Sequence, residues 1–384
     1  MNIPNCIPDI AGNEIKYLKE CIDTKWISSV GPYVDRFETL FSNYHHVSTA
    51  TAVSSGTAAI HLALKALNVN HNDMVLCPTV TFIGTVNPIF YLGAEPVFIG
   101  VESETLNIDI ESLVHFFQTE TIKNDGRLIY KKNGRLIKAM IVVHLYGNPA
   151  NMDMIIELSN QYNIPVLEDA AESLGAKYNN RLLGTIGDIG CFSFNGNKII
   201  TTGGGGMIIS RDEEKTLLTK HMSTQAKTDS FEFLHDQIGY NYRLSNLCAA
   251  VGVAQMESLD DFIQKKRQTA LYYKELFLKN NKLRILEPEQ NCFGTYWMTL
   301  TQINPSYRKT GYAYLEKIRK LSKQGLGVRP IWYPLHKLPI FKDHNYFGKD
   351  NSSDLYQTTF CLPSSVSITN QEMETTVSMI DSIV

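Results

Sequence analysis

Cys191-Phe-Ser-Phe-Asn-Gly-Asn-Lys198-Ile-Ile-Thr-Thr-Gly-Gly-Gly-Gly206-Met207 sets a single lysine between a short apolar strand and four consecutive glycines. Upstream, Ile164-Pro-Val-Leu-Glu-Asp169 is an apolar run that ends on a carboxylate. A lysine amine that bonds to an aldehyde and an aspartate that pairs with a ring nitrogen are the two protein groups a pyridoxal phosphate enzyme needs. Each residue alone has a plainer meaning. Most lysines are solvated charges, glycine runs mark turns, and an aspartate before Ala170-Ala171 serves as a helix N-cap. Their combination with the elements around them selects the cofactor reading.

Those elements alternate. Met74–Cys77, Pro96–Ile99, Ala139–Val143, Val166–Glu168, Ile189–Ser193 and Met207–Ser210 read as buried strands, with helical patterns between several of them. In the segment from Thr57 to Leu67, Ile60, Ala63, Leu64 and Leu67 fall on one helical face. Strands alternating with helices predict an α/β architecture, a mostly parallel sheet covered on both faces, with ligands bound beyond the carboxyl ends of the strands. Asp169 and Ser193 fall at such ends. Residues 119–138, with Asn124-Asp-Gly126 and Asn133-Gly134, predict an inserted β-hairpin. After Asn246 the pattern changes to two successive helices and then to mixed elements. This divides the chain into a large α/β domain over residues 1–246 and a smaller α+β domain over 247–384.

Ser54-Ser55-Gly56-Thr57-Ala58-Ala59 opens the first of the central helices. Gly56 permits close backbone approach, Thr57 offers a hydroxyl, and the helix N-terminus offers unpaired N–H groups to an anion such as a phosphate. A plain serine N-cap is the alternative meaning of Ser55. Phe82, in Pro78-Thr-Val-Thr-Phe82, follows a strand and can stack on a flat heteroaromatic ring. Ser193, five positions before Lys198, is placed to share the phosphate. Lys198 must lose a proton from a reference pKa of about 10.4 to act as a nucleophile, which burial and a neighbouring cation favour. It then serves as the base and acid that moves a proton at the substrate carbon.

Composition narrows the field further. The chain has 384 residues, 43% of them hydrophobic and 20% charged, with a formal net charge of −3, so nothing electrostatic favours a nucleic acid or an anionic membrane. Seven scattered cysteines without a Cys-x-x-Cys pair argue against a disulfide framework or a zinc site. The paired His45-His46 lacks further ligands at a useful spacing, so no metal is expected. With no signal peptide or membrane span evident, a cytoplasmic protein is expected.

These motifs together resemble the pyridoxal phosphate-dependent nucleotide-sugar aminotransferases of the DegT/StrS type, a branch of the fold-type I transferases. The resemblance covers nearly the whole chain. Trp26-Ile-Ser28-Ser-Val-Gly31 is similar to the family's substrate-side segment, Ser55-Gly56-Thr57 to its phosphate loop, and Phe82 to its stacking aromatic. His144-Leu-Tyr-Gly147 and Glu168-Asp169-Ala170-Ala171-Glu172 match two further blocks, and Ser193 with Lys198 matches the lysine block. Many relatives carry an acidic residue where this chain has Gly204. The resemblance implies that Asp169 partners the pyridine nitrogen and that Glu172 faces the cofactor's phenolic oxygen. It further implies that Asn241, in Gly239-Tyr-Asn-Tyr-Arg243, reaches the phosphate of a neighbouring subunit, which makes a homodimer part of the active site.

It also implies a substrate. Arg329-Pro-Ile-Trp332-Tyr-Pro-Leu-His336 and the residue 119–138 insertion resemble enzymes that aminate C4 of UDP-linked 2-acetamido-4-keto-6-deoxy sugars for surface glycans, with L-glutamate as donor. Arg329 would serve a carboxylate or diphosphate, Trp332 would stack, and His336 would bond a hydroxyl. Trp26 and Ser28 would lie on the substrate side. Two alternatives stand beside this reading: a 3-keto sugar aminotransferase acting on a dTDP-hexose, and a non-catalytic pyridoxal phosphate-binding sensor or scaffold.

Overall fold

Eight strands form the central sheet: β1 (Ala50–Val53), β2 (Met74–Pro78), β3 (Glu95–Ile99), β4 (Ile137–Val143), β5 (Val166–Asp169), β6 (Ile189–Ser193), β7 (Gly206–Ile209) and β8 (Asn345–Phe347). The structure is a computed structural model and describes residues 2–10, 12–279, 281–308 and 313–383. The strand order is β1-β7-β6-β5-β4-β2-β3-β8, and all strands run parallel except β7, which is antiparallel to both neighbours. The six strands read from the sequence are all present. Two were not anticipated: β1, and β8, which returns from far down the chain to pair with β3.

The period-2 alternation of these strands feeds two separate apolar layers. On β2 and β4, Val75, Cys77, Ala139, Ile141 and Val143 join one core. It is completed by α2 (Pro32–His45), α3 (Gly56–Ala66) and residues from Ala249 to Ala254. Met74, Leu76, Met140 and Val142 point the other way, against α4 (Ile110–Glu120) and α5 (Met152–Tyr162). Burial on both faces is what allows these strands to be almost continuously apolar.

The helices start where the sequence supplies caps. Ser55 accepts the Ala58 N–H at 3.0 Å to open α3, and Asn151 accepts the Met154 N–H at 3.3 Å to open α5. The expected hairpin is shorter than residues 119–138 suggested. Thr119 and Glu120 belong to α4, and the paired strands are Thr121–Asn124 and Arg127–Tyr130. Asp125 and Gly126 turn with φ of 49° and 73°, the left-handed pair that a tight hairpin requires.

Beyond α6 (Glu213–Ser223) lie α7 (Asn246–Glu257) and α8 (Leu259–Phe277), followed by a four-stranded antiparallel sheet. That sheet is built from Leu283–Ile285, Leu300–Ile303, Thr359–Cys361 and Arg329–Pro330 and has its own apolar core, which includes Tyr273, Phe277, Ile303, Phe360 and Val377. We propose this second sheet as the nucleus of a smaller domain. Across residue 246, α7 packs on α2 and on the helix Glu14–Asp23, and β8 extends the large sheet.

Glu168, on β5, is a buried carboxylate that ties the second layer together. It accepts from His144 Nε2 at 2.9 Å and from the N–H groups of Gly184, Ile186 and Gly187 at 2.8, 2.7 and 2.6 Å. His144 Nδ1 accepts the Ala150 N–H, so its proton sits on Nε2 and is donated to Glu168. Burial pushes the Glu168 carboxyl up, but its donors more than offset this and hold it below its ordinary value. A depressed carboxylate stabilises the fold above the unfolded value and loses that stabilisation as pH falls through the folded one. Glu168→Gln should therefore cost about 2–3 kcal/mol near neutral pH. It should also flatten the loss of stability below about pH 4.5, as read by urea midpoints measured across pH.

Candidate active site

The carboxyl ends of β1, β2, β4, β5 and β6 open onto one cavity of about 370 Å³. Its wall carries Ser55, Gly56 and Thr57 from the entry to α3, Thr81, Phe82 and Thr85 after β2, Asp169 and Glu172 at and beyond β5, and Ser193 and Lys198 at and beyond β6. These residues, distant in sequence and most of them expected from it, meet because parallel strands all deliver their carboxyl ends to one edge. Two glycines make the approach possible. A Cβ on Gly56 would lie 2.8 Å from Ser193 Cβ, and one on Gly206 would lie 2.5 Å from the Ser55 carbonyl oxygen.

Lys198 Nζ lies 3.8 Å from Glu172 Oε1 and 3.9 Å from the centre of the Trp297 ring, with its side chain 13% exposed. Burial lowers its pKa, while Glu172 and Asp169 act in the opposite direction. Asp169 is 4% exposed and accepts from Thr85 Oγ1 at 2.7 Å and from the Ala171 N–H at 3.1 Å. Burial raises its pKa against those two bonds. Burial likewise raises Glu172, whose oxygens accept from the Tyr146 N–H at 2.8 Å and Trp332 Nε1 at 3.1 Å. Two carboxylates and one amine thus share a poorly solvated space, where the charged form of each is costly without a partner.

Not every predicted residue arrives here. Trp332 does, with its indole N–H committed to Glu172 and its ring 5.2 Å from that of Phe82. His336 does not line the cavity. Its Nδ1 is hydrogen-bonded to Thr79 Oγ1 at 2.6 Å and its ring stacks on Tyr346. Arg329 is turned to Ser322 Oγ and the Val328 carbonyl. Trp26 and Ser28 lie on the loop before α2, where their carbonyls accept from Asn246 at 2.8 and 2.6 Å. Asn241 lines a different concavity, with Ser29, Lys220 and Arg243. The residues that sequence reading missed are Thr85, Asn195, Asn197 and Trp297. Thr85 stood three positions beyond a motif already singled out, whereas nothing in the local sequence marks Trp297.

The residues present fit pyridoxal phosphate. Gly56 and Thr57 bring N–H groups that α3 cannot pair internally, and with the Thr57 and Ser193 hydroxyls they suit a phosphate. Asp169 offers a carboxylate for a ring N–H, and Lys198 offers an amine for an aldehyde. A mostly parallel α/β sheet with a buried lysine and aspartate at its carboxyl edge defines a fold-type I pyridoxal phosphate transaminase. The chain belongs to the DegT/DnrJ/EryC1/StrS aminotransferase family, which it matches over residues 8–381. Pyridoxal phosphate is the cofactor of such enzymes.

Among its relatives, the GDP-perosamine synthase of Escherichia coli O157:H7 is 38% identical over 374 residues, covering 97% of this chain and 95% of that protein. The UDP-4-amino-4,6-dideoxy-N-acetyl-β-L-altrosamine transaminase of Campylobacter jejuni subsp. jejuni serotype O:23/36 (strain 81-176) is 29% identical over 341 residues, covering 87% and 85%. The crystal structure of the aminotransferase TlmJ from Streptoalloteichus hindustanus matches with a TM-score of 0.87 at 25% identity, over 100% of this chain and 98% of that one. The chain is accordingly a sugar aminotransferase. Among the described residues, no helix is long and apolar enough to cross a membrane, and no group of three or more His, Cys, Asp or Glu is placed to hold a metal ion.

Thr85→Val removes the hydroxyl donor to Asp169 while keeping the side-chain shape. Loss of one hydrogen bond to a charged group should weaken cofactor binding about 10- to 100-fold. Fluorescence titration of the cofactor-free protein with pyridoxal phosphate measures this.

Proposed function

We propose that the protein moves the amino group of L-glutamate to C4 of a 4-keto-6-deoxy sugar linked to a nucleoside diphosphate, in two half-reactions at one site. The observation that carries this reading is the Lys198 amine, set between the Trp297 ring and two buried carboxylates at the mouth of the α3 phosphate cradle. When bound, pyridoxal phosphate supplies an aldehyde that condenses with amines and a ring that accepts the electron pair left at the adjacent carbon. Asp169 would keep the ring nitrogen protonated. Gly56, Thr57 and Ser193 would hold the phosphate, and Phe82 offers an aromatic face to the ring. Lys198, freed by the incoming amine, would take the proton from the donor carbon and return one to the sugar carbon. The apolar wall of Ile60, Phe82, Val143, Trp297 and Trp332 limits water around that transfer.

The nucleotide is where the relatives diverge, one being named for a GDP sugar and another for a UDP sugar. Of the residues that suggested a UDP-linked 2-acetamido sugar, Arg329 and His336 are held outside the cavity. The assay therefore presents GDP- and UDP-linked 4-keto-6-deoxy sugars side by side, with a dTDP-linked 3-keto hexose as the contrast. Release of 2-oxoglutarate with appearance of a 4-amino sugar, detected by mass spectrometry, is the expected result. Amination of the 3-keto sugar alone would overturn the C4 assignment, and no 2-oxoglutarate with any acceptor would favour the sensor or scaffold reading. Lys198→Ala should lower the rate at least 10³-fold while leaving the far-ultraviolet circular dichroism unchanged.

A second copy of the chain completes the site in this reading. Lys198 is the single cation among the residues lining the cavity, yet both substrates carry anionic groups. The separate concavity around Asn241 carries Lys220, Lys227 and Arg243. Beside it the Lys227–Asp229 hairpin and its loop expose Phe231 (89%), Phe233 (66%) and Ile238 (83%), an apolar surface suited to burial against a partner. Mixing Lys198→Ala with Asn241→Ala subunits tests this. Random reassociation should restore about a quarter of the sites if Asn241 acts across the dimer. No restoration is expected if it acts within its own chain.

A further inference from the structure

Lys266 on α8 is 1% exposed and makes no salt bridge among the described residues. A buried amine without a carboxylate partner is costly unless every donor is used. Here three acceptors meet its three donors: the Trp297 carbonyl at 3.0 Å, the Ser364 carbonyl at 2.8 Å and Cys6 Sγ at 3.5 Å. Two of those acceptors lead to the same atom. Trp297 Nε1 donates to the Asn197 carbonyl oxygen at 2.6 Å, and the Cys6 thiol donates to that oxygen at 3.4 Å. The Asn197 carbonyl belongs to the peptide that joins Asn197 to Lys198. The Trp297 ring that Lys266 anchors through its main chain is also the face on which Lys198 Nζ rests, 3.9 Å from its centre.

We propose that Lys266 is a positioning residue for Lys198, fixing from behind both the Asn197–Lys198 peptide and the Trp297 ring against which the amine lies. The inference rests on the reading of Lys198 as the reactive amine and adds a residue more than sixty positions away in sequence. The arrangement spans three parts of the chain: the N-terminal segment through Cys6, α8 through Lys266, and the approach to the Leu300–Ile303 strand through Trp297. The indole face holds Nζ away from closer approach to Glu172, which stands at 3.8 Å. Released from that face, the amine can close on Glu172 and, beyond it, on Asp169, both of which favour its protonated form; Cys6 is the other titratable group acting on it.

The test is competitive acetylation of the cofactor-free protein with acetic anhydride, quantified by mass spectrometry on the peptide bearing Lys198 across a range of pH. The exposed Lys342 serves as internal reference. In the unmodified sequence Lys198 should lose its proton below the reference lysine value of about 10.4. If it does not, the reading of Lys198 as the poised amine fails, and this inference with it. In Lys266→Met, labelling of Lys198 at neutral pH should fall about threefold or more relative to Lys342, with the circular dichroism spectrum retained. Trp297→Phe keeps an aromatic face but drops the donor to Asn197, and should reproduce part of the fall. Combining it with Lys266→Met should give less than the sum of the two effects, because both act through one carbonyl.

Cys6→Ala should slow labelling, whereas Cys6→Ser, which can still donate to the Asn197 carbonyl, should not. Unchanged Lys198 labelling in Lys266→Met, or full additivity in the double variant, would overturn the proposal while leaving the aminotransferase reading intact. Should Lys266→Met fail to fold, Trp297→Phe combined with Cys6→Ala breaks the same two bonds to Asn197. Unchanged labelling there would overturn it equally.

Discussion

Two adjacent carboxylates at the end of one strand, Glu168 and Asp169, govern the arrangement of the rest. Because side chains on a strand alternate between faces, the two are committed to opposite sides of the sheet. Glu168 goes into the layer under α4 and α5, where four donors hold it ionised and fasten the Gly184–Gly187 turn to His144. Asp169 goes into the opposite layer, at the carboxyl edge where α3 begins, and its carboxylate receives two bonds among the described residues. The same residue chemistry thus gives a structural brace on one face and an underpartnered, strained-to-ionise carboxyl on the other. The difference lies in the number of donors, which decides whether burial is offset.

That imbalance makes the cavity a place for a cation. Asp169 and Glu172 are both raised by burial, and the amine of Lys198 is lowered by it. A bound ring with a protonated nitrogen would supply the charge that Asp169 lacks. The aromatic residues do more than enclose the space. Trp332 gives its indole N–H to Glu172 and its backbone N–H to the Tyr146 hydroxyl oxygen, the latter at 3.0 Å. Trp297 lies under the Lys198 amine. Both tryptophans come from the C-terminal half, so the cavity exists only once that half has docked on the edge of the large sheet.

Much of this was legible beforehand. The strands were readable because burial on both faces leaves nearly unbroken apolar runs, and α3 was readable because Ser55 and Gly56 mark its entry. Lys198, Asp169, Gly56 and Thr57, which the structure brings to one cavity, were legible because their chemistry is unusual in those local contexts. The surroundings of His336 were not legible. A histidine in a distinctive motif invites a functional role, but Thr79 and Tyr346, which sit far from it in sequence, already use its ring. The start of the hairpin was misjudged because Thr119 and Glu120 are polar residues on the exposed last turn of a helix, and polarity alone cannot separate that from a loop.

Local sequence sets which groups are available and which short elements carry them: a lysine after a strand, an aspartate at the end of another, and a glycine at a helix entry. Local propensity and periodicity act over a few residues, and these features are local. Tertiary structure alone decided that Thr85 would support Asp169, that Trp297 would underlie Lys198, and that Lys266, Cys6 and Trp297 would converge on one carbonyl. Those contacts join residues tens to hundreds of positions apart, and they form only because parallel strands present their carboxyl ends together while the C-terminal half closes over them. Long-range packing and the loss of water around buried charges have no local signature, so no reading of one segment at a time could have supplied them.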